Sequence, residues 1–155
     1  MKKIACCFSV LFCAALNAAQ IEVTAKSFVA DENEQRSHFS GSVVVVRGAD
    51  TLRADKISLA WTKTREIKVF EADGNASFDI TTDNGTHFVG RANRLIYTPA
   101  DGLYSLKGHA VVEDRTNQRK IEGESIVLNE LTRVAKVDGE ESVPVKLIFT
   151  IKDQK

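Results

Sequence analysis

The sequence has few cysteines, and none of them lies beyond residue 13. Cys6, Cys7 and Cys13 are the only three in 155 residues. Disulfide bonds and cysteine-ligated metal sites are therefore excluded from the rest of the chain. An excess of charge is also lacking, because 21 Lys and Arg balance 21 Asp and Glu. Without a basic excess, nucleic acid is not an expected partner.

Long hydrophobic runs are lacking as well. The longest mostly apolar run covers residues 4–16, follows Lys2 and Lys3, and leads into the small residues of 17–19. A helix that crosses a bilayer needs about 20 apolar residues, so this run is too short to be a good membrane anchor. Its layout is typical of a secretory signal peptide. We therefore predict a cleavable signal peptide at 1–19 and one exported domain at 20–155, with an uncleaved anchor as the alternative.

The pattern of the remaining chain is that of short β-strands. Stretches rich in Val, Ile, Thr and Phe alternate with polar residues and are broken by Gly, Asn and Asp. No window of eleven or more residues keeps a helical stripe. The predicted strands include 21–24, 42–47, 57–61, 67–69, 76–80, 95–97, 110–113 and 143–151, and the predicted turns are 48–50, 72–75, 83–85, 99–102 and 138–139. The domain is predicted to be all-β.

An internal repeat of roughly 33 residues organises these strands. Gly41, Gly74, Gly108 and Gly139 follow one another at intervals of 33, 34 and 31 residues. A small residue also recurs three positions before an apolar one, as in the pairs Ala54 and Ile57, Ala92 and Leu95, and Gly123 and Ile126. Small residues at matched positions predict corners where strands bend. We predict three to four stacked repeats with about 14 strands in two facing sheets or a flattened roll.

The apolar residues of this pattern define a predicted inner face. Two interpretations remain open: the side chains fill a solid interior, or they line an elongated groove for hydrocarbon. Each methylene that leaves water contributes ~0.8 kcal/mol, so about ten of them give roughly 8 kcal/mol before ordering costs. The candidate groove residues are Val43, Val45, Leu52, Ile57, Leu59, Trp61, Ile67, Val69, Phe78, Ile80, Phe88, Leu95, Tyr97, Leu106, Val112, Ile126 and Leu128. The same inner face is predicted to include Ile121, Val137, Leu147 and Phe149.

The two ends of the repeat stack carry apolar, β-prone segments. The segment 143–152 contains Val145, Leu147, Phe149 and Ile151, and Pro144 stands near its start. It is predicted either to pair as the last internal strand or to form an open edge that accepts a strand from another molecule. At the other end, Ile21 and Val23 are the candidate edge residues.

The sequence offers no recognisable catalytic constellation. His38, His87 and His109 lack metal-ligand spacing, and neither a nucleophile elbow nor a phosphate-binding glycine loop is present. Arg91 and Arg94 are two cations near one strand, which we interpret as a solvated edge, with an anionic head group as the alternative. We predict a protein without catalytic activity, cofactor or metal.

An ordered set of motifs resembles the OstA-like/LptA family. It comprises Phe39-x-Gly41-x-Val43-x-Val45, then 50–55 (Asp-Thr-Leu-Arg-Ala-Asp), Glu71-Ala72-x-Gly74-Asn75, Leu106-x-Gly108-x-Ala110-x-Val112 and Ile121-x-Gly123-Glu124-x-Ile126. The resemblance covers about residues 21–139. It implies a twisted β-jellyroll with an apolar interior. It also implies a periplasmic protein that shields the acyl chains of lipopolysaccharide between the membranes of a Gram-negative cell, as part of outer-membrane biogenesis.

The resemblance further implies partners. Lipopolysaccharide, through its lipid A, is the expected ligand. Edge strands are expected to pair head to tail with further copies of the chain, with an inner-membrane-anchored relative and with an outer-membrane translocon. The alternatives are a membrane-anchored relative of the same pathway or a structural protein of the envelope that pairs strands without binding lipid. A glycan-processing envelope enzyme is a more distant alternative.

Overall fold

The computed structural model describes residues 20–82, 84–129 and 131–151. The predicted signal peptide at 1–19 lies outside the described residues. Within those residues, no helix has the length and apolar character needed to cross a membrane.

The described chain is built almost entirely from antiparallel strands. They are β1 (Ile21–Thr24), β2 (Ser27–Asp31), β3 (Arg36–Arg47), β4 (Asp50–Trp61), β5 (Ile67–Thr81), β6 (His87–Thr98), β7 (Leu103–Asp114), β8 (Arg119–Asn129), β9 (Val134–Asp138) and β10 (Lys146–Ile148). One 3-10 turn, Pro99–Asp101, connects β6 to β7. The all-β prediction is confirmed.

The strands form one sheet whose order follows the chain. Neighbours from β3 to β8 pair in sequence order, as expected for hairpin connections. At one edge, β1 and β2 pair with different parts of β3. At the other edge, β10 pairs with the first residues of β8, and β9 pairs with its last residues. Each long strand therefore belongs to two regions of the sheet.

A line of β-bulges separates these two regions. The register shifts in the middle of every pairing from β3/β4 to β7/β8. On β3, β5 and β7 the bulge contains a glycine and the next residue, both with positive φ, as at Gly74 (φ 83°) and Asn75 (φ 49°). The same pair of conformations occurs at Gly41-Ser42 and at Gly108-His109. Bulges bend strands, and the predicted corner residues Ala54, Ala92 and Gly123 lie beside these bulges on the neighbouring strands.

The bend brings the inner faces of the two regions into one hydrophobic cluster. We name the regions by their edge strands, the β2/β9 half and the β1/β10 half. Beside the bulges, the inner face carries small residues in register, with Ala76 opposite Ala92 and Ala110 opposite Gly123. Ala72, Ala76 and Ala110 are almost fully buried. Small side chains let the two halves approach each other closely at the bend.

The expected strand number differs from the structure. About 14 separate strands were predicted, whereas the described residues form ten. The predicted turn at 72–75 is wrong for the same reason, because β5 continues through it for 15 residues. Two consecutive residues with positive φ form a bulge here, so the strand bends and continues beyond it instead of reversing in a turn.

The C-terminal edge strand is shorter than expected. The predicted segment is 143–152, and among its described residues, 143–151, only Lys146–Ile148 is a strand. Val143 exchanges backbone hydrogen bonds with Glu140 in a loop, and Pro144 has no N–H to donate. Ile148 already lies opposite Lys120, next to the first residue of β8, so β8 has almost no strand left for Phe149 to pair with.

Candidate functional site

The innermost part of the folded sheet is a closely packed core. In the β2/β9 half, one row of the inner face crosses seven strands at Phe39, Ile57, Ala72, Leu95, Leu106, Ile126 and Val137. All of these except Val137 are buried. This row therefore belongs to the stable core.

The next rows outward from the bend consist mostly of large side chains that are less buried, with buried Gly90 and Leu59 as exceptions. In the β1/β10 half the row comprises Val23, Val45, Leu52, Phe78, Gly90, Val112, Ile121 and Leu147. In the β2/β9 half it comprises Leu59, Phe70, Tyr97, Tyr104 and Leu128. Most of these side chains are only partly buried, and they face the inside of the fold. We name these two facing rows the groove rows.

Aromatic side chains occupy central positions in both groove rows. Gly90 lies opposite Phe78, and the Phe78 ring occupies the space that a side chain at Gly90 would need. In the other half, Tyr97 and Tyr104 stack with ring centroids 4.3 Å apart. These contacts place large flat apolar surfaces along the inner face.

Sixteen of the seventeen predicted groove residues lie on the inner face or at its rim. Val43, Ile57, Leu59, Leu95, Leu106 and Ile126 are buried in the core, and Val45, Leu52, Trp61, Ile67, Phe78, Val112 and Leu128 pack against it. Ile80, Phe88 and Tyr97 follow the same alternation farther from the bend. Val69 is the exception: it lies opposite Ala60, on the outer face, because the register shifts beside Trp61 and Phe70 takes the inner position.

Several inner-face residues were not predicted as groove residues. Phe39, Phe70, Ala72 and Ala76 belong to the hydrophobic cluster or pack against it. Phe39 was visible in the sequence as the apolar residue two positions before Gly41. Phe149, which was predicted to face inward, is exposed beyond the end of β10.

The rim of the β1/β10 half combines apolar and charged residues on its inner face. Three hairpins end there, and the inner-face pairs nearest their turns are Arg47 with Asp50, Ile80 with Phe88, and Asp114 with Arg119. Phe88 lies opposite Asp114. The apolar pair therefore lies between two pairs of charged residues.

Asp114 is a charged residue buried on this rim, with 4% of its surface exposed. Burial alone would raise its pKa, but hydrogen bonds from the Arg119 guanidinium and from Asn117 lower the pKa to about 2. Arg119 Nη2 lies 2.6 Å from Asp114 Oδ2, and the Asn117 N–H donates to Oδ1 over 3.0 Å. The Asp114 carboxylate is therefore ionised and fixed.

The edges of the sheet expose apolar residues. At the C-terminal edge, Leu147 is 57% exposed and Ile151 is 75% exposed, and Val145 and Phe149 are exposed as well. At the N-terminal edge, Val29 of β2 is 58% exposed. The predicted edge residues Ile21 and Val23 are partly buried in β1, which pairs with β3 on one side.

The titratable groups of the outer face form local pairs. His87 Nε2 lies 2.7 Å from Asp79 Oδ1, and His38 Nδ1 lies 2.9 Å from the Ser58 hydroxyl. Arg94 forms an ion pair with Glu71. In the described part of the chain, no three His, Cys, Asp or Glu residues come together in a way that would hold a metal ion.

Comparison with known proteins identifies the same fold. The chain is similar to the crystal structure of LptH from Pseudomonas aeruginosa, described as the LptA homologous periplasmic component of the conserved lipopolysaccharide transport device. The TM-score is 0.70 at 18% sequence identity, over 86% of this chain and 96% of that chain. This likeness confirms the predicted jellyroll-like fold. A search among curated proteins found no match.

The family assignment follows from a match to a protein-family model. The model described as LptA/(LptD N-terminal domain) LPS transport protein matches residues 22–134. That range begins in β1, ends at the start of β9 and includes all the bulges of the bend. The chain therefore belongs to the LptA/LptD N-terminal-domain family of lipopolysaccharide transport proteins.

Proposed function

We propose that this protein is a periplasmic carrier that shields the acyl chains of lipopolysaccharide on their way from the inner to the outer membrane. Two facts support the transport role and the compartment: the family is one of lipopolysaccharide transport proteins, and the similar LptH is described as periplasmic. The protein has no catalytic role in this proposal. Residues 1–19 serve as the export signal.

The observation that carries the proposal is the pair of groove rows. Phe78, Leu52 and Val112 in one half, and Phe70 and Leu128 in the other, are apolar, face inward and remain partly exposed. A purely structural sheet of this size would gain stability by burying them fully. Acyl chains that lie between the rows would bury the remaining apolar surface without any polar partner.

A substitution at Phe78 tests the groove. In the Phe78→Asp variant, the new carboxylate would have to lose water whenever an acyl chain lies beside it. We expect equilibrium binding of lipopolysaccharide, measured by competition with lipid A, to weaken by about tenfold or more. The matched control is Ser77→Asp, which adds the same charge to the outer face of the same strand. Far-UV circular dichroism and thermal unfolding establish that both variants fold.

Two results would contradict the proposal. Wild-type protein that binds no lipid A would exclude the carrier function, whereas unchanged binding by folded Phe78→Asp would exclude a role for this row. Leu59→Asp is less informative, because Leu59 is 4% exposed and its replacement would disturb the core. Photo-crosslinking in cells from Phe78 and Leu128 should capture glycolipid, and Ser77 serves as the outer-face control.

The exposed edges support a second part of the proposal. Natural sheets usually protect their edge strands, yet Val29 at one edge and Leu147 at the other expose apolar side chains. We propose that these edges pair head to tail with further copies, and with the inner-membrane-anchored relative and the outer-membrane translocon. Oligomers that form without any uptake of lipid would instead favour a structural assembly protein.

A further inference from the structure

The inner rim of the β1/β10 half contains a charged pair where an apolar pair would extend the groove row. Along β7, the inner face runs through Ala110 and Val112 to Asp114, and along β8 it runs from Gly123 through Ile121 to Arg119. Arg119 is therefore two residues from Ile121 on the same face of the strand. At the corresponding position two strands away, Phe88 is apolar.

Asp114 holds the Arg119 side chain in place. Its Oδ2 accepts hydrogen bonds from Arg119 Nη2 at 2.6 Å and from Asn117 Nδ2 at 2.8 Å, and its Oδ1 accepts one from the Asn117 backbone N–H at 3.0 Å. With 4% exposure, Asp114 is a rigid support for the guanidinium. The hydrogen bonds from Asn117 mean that Asp114 retains partners when Arg119 is replaced.

Arg119 has donors left for a ligand. Its side chain is 58% exposed, and the hydrogen bond to Asp114 uses one of the five N–H donors of a guanidinium. A guanidinium can bind a phosphate through two parallel hydrogen bonds, which makes arginine well suited to oriented phosphate recognition. Phe88 lies two strands away, which is about 10 Å at the usual strand spacing.

We propose that Arg119, positioned by Asp114, binds the phosphate of an amphiphile whose acyl chains lie along the groove rows. This inference rests on the proposed carrier function and adds an orientation to it. The head group lies at the rim between β7 and β8, while the acyl chains extend past Ile121 and Val112 toward the bend. The pair Asp114 and Arg119 thus selects an anionic lipid over a neutral one of the same chain length.

Arg115 provides a matched control within the same hairpin. Its side chain is 53% exposed and lies 3.6 Å from Glu113 on the outer face. Arg115→Gln and Arg119→Gln therefore remove the same charge from the same turn, but only the second removes it from the inner rim. The Arg119→Lys variant retains the positive charge but loses the two parallel hydrogen bonds that a guanidinium can donate to one phosphate.

The experiment measures binding of full-length mature protein to diphosphoryl lipid A and to its dephosphorylated form. The wild type is expected to prefer the phosphorylated lipid. Arg119→Gln is expected to bind phosphorylated lipid A about five- to tenfold more weakly, with less than about twofold change for the dephosphorylated form.

The other variants are controls. Arg115→Gln should change the binding of neither lipid by more than about twofold, and Arg119→Lys should retain part of the preference for the phosphorylated lipid. Asp114→Asn should reduce the preference as well, and thermal unfolding establishes that each variant folds.

The outcomes separate this inference from the function on which it rests. If the wild type binds both lipids equally, or if Arg119→Gln weakens both equally, the phosphate contact is overturned while the carrier function stands. Equal effects of Arg115→Gln and Arg119→Gln would also overturn it, because they would indicate a general charge effect. Saturable binding of inorganic phosphate alone at Arg119, without lipid, would assign the site to the free ion. A wild type that binds neither lipid overturns both.

Discussion

At the scale of single residues, Asp114 gives the protein a pH-dependent contribution to stability. The pKa of the Asp114 carboxyl is about 2 in the folded chain, whereas it is 3.8 for a carboxyl without these partners. The unfolded chain therefore binds the proton more readily, so the contribution is fully present above about pH 4 and is lost as the pH falls toward 2. We expect the loss between pH 6 and pH 3 to be about 1 kcal/mol.

Urea unfolding at these two pH values measures this contribution. The free energy of unfolding of Asp114→Asn should fall by about 1 kcal/mol less than that of the wild type between pH 6 and pH 3. Asp101→Asn is the control, because Asp101 is exposed in the 3-10 turn. A pH dependence in Asp114→Asn that matches the wild type would show that the carboxylate is not stabilised by Arg119 and Asn117.

Asp114 and Arg119 were also the part of the site that the sequence did not reveal. The alternation from Ala110 through Val112 places residue 114 on the inner face, where an apolar residue was expected. The carboxylate is acceptable there only because Arg119, directly opposite on β8, and Asn117, in the turn, both donate hydrogen bonds to it. Such a contact depends on the turn conformation, which composition and periodicity do not determine.

At the scale of the strands, the bend depends on glycines that adopt a positive φ and also leave room for a neighbouring side chain. Gly74 has a φ of 83°, which other residues rarely adopt, and a Cβ built there would lie 2.8 Å from the Cβ of Asp55. Gly85, in the hairpin between β5 and β6, has a φ of 85° with nothing within 4 Å of the same position. The two glycines therefore separate backbone strain from steric overlap.

Alanine at each position measures the two effects. Gly85→Ala should reduce the free energy of unfolding by about 1 kcal/mol, because only the left-handed conformation is penalised. Gly74→Ala should cost at least about 1 kcal/mol more, since the side chain of Asp55 or the bulge itself must move. Both values come from urea unfolding. Equal losses in the two variants would mean that the bend tolerates a side chain at residue 74.

The sequence predicted the positions of the bends better than the number of strands. The matched small residues Ala54, Ala92 and Gly123 located the corners, and they lie beside the bulges. Whether a strand continues past such a corner depends on hydrogen bonds to its neighbours on both sides, as in β5. The same limitation explains Val69, because the register shift beside Trp61 reverses the faces over a few residues.

At the scale of the whole molecule, each half of the sheet has eight strand segments, counting its two edge strands. Seven spacings of ~4.8 Å make a body of about 34 Å along the stacking direction, so a single copy is short for a bridge between two membranes.

The directions of the edge strands determine how two copies could pair. Neighbouring strands from β3 to β8 alternate in direction, so β3 and β8 run in opposite directions. The edge strands are antiparallel to these two strands. Therefore β2 and β9 run in opposite directions, and so do β1 and β10.

Under the proposed head-to-tail stacking, a further copy would therefore continue the sheet with antiparallel pairing in both halves. One row of the outer face runs from Val29 through His38, Ser58, Glu71, Ile96, Ser105 and Val127 to Lys136. If the next copy continues this row, Lys136 of one copy lies beside Val29 of the next. Directly opposite residues have Cβ atoms about 4.5–5.5 Å apart, which is close to the distance that a disulfide requires.

The final prediction uses the lack of cysteine beyond residue 13. Mature protein carrying both Val29→Cys and Lys136→Cys should form a ladder of disulfide-linked oligomers under mild oxidation, seen by electrophoresis without reductant. The control carries Val29→Cys and Val137→Cys; because Val137 packs against the core on the opposite face, its ladder should be much weaker. Equal ladders would indicate random collision, and the absence of a ladder from both would contradict pairing of β9 with β2. A ladder specific to residue 136 would establish both the direction and the register of the join.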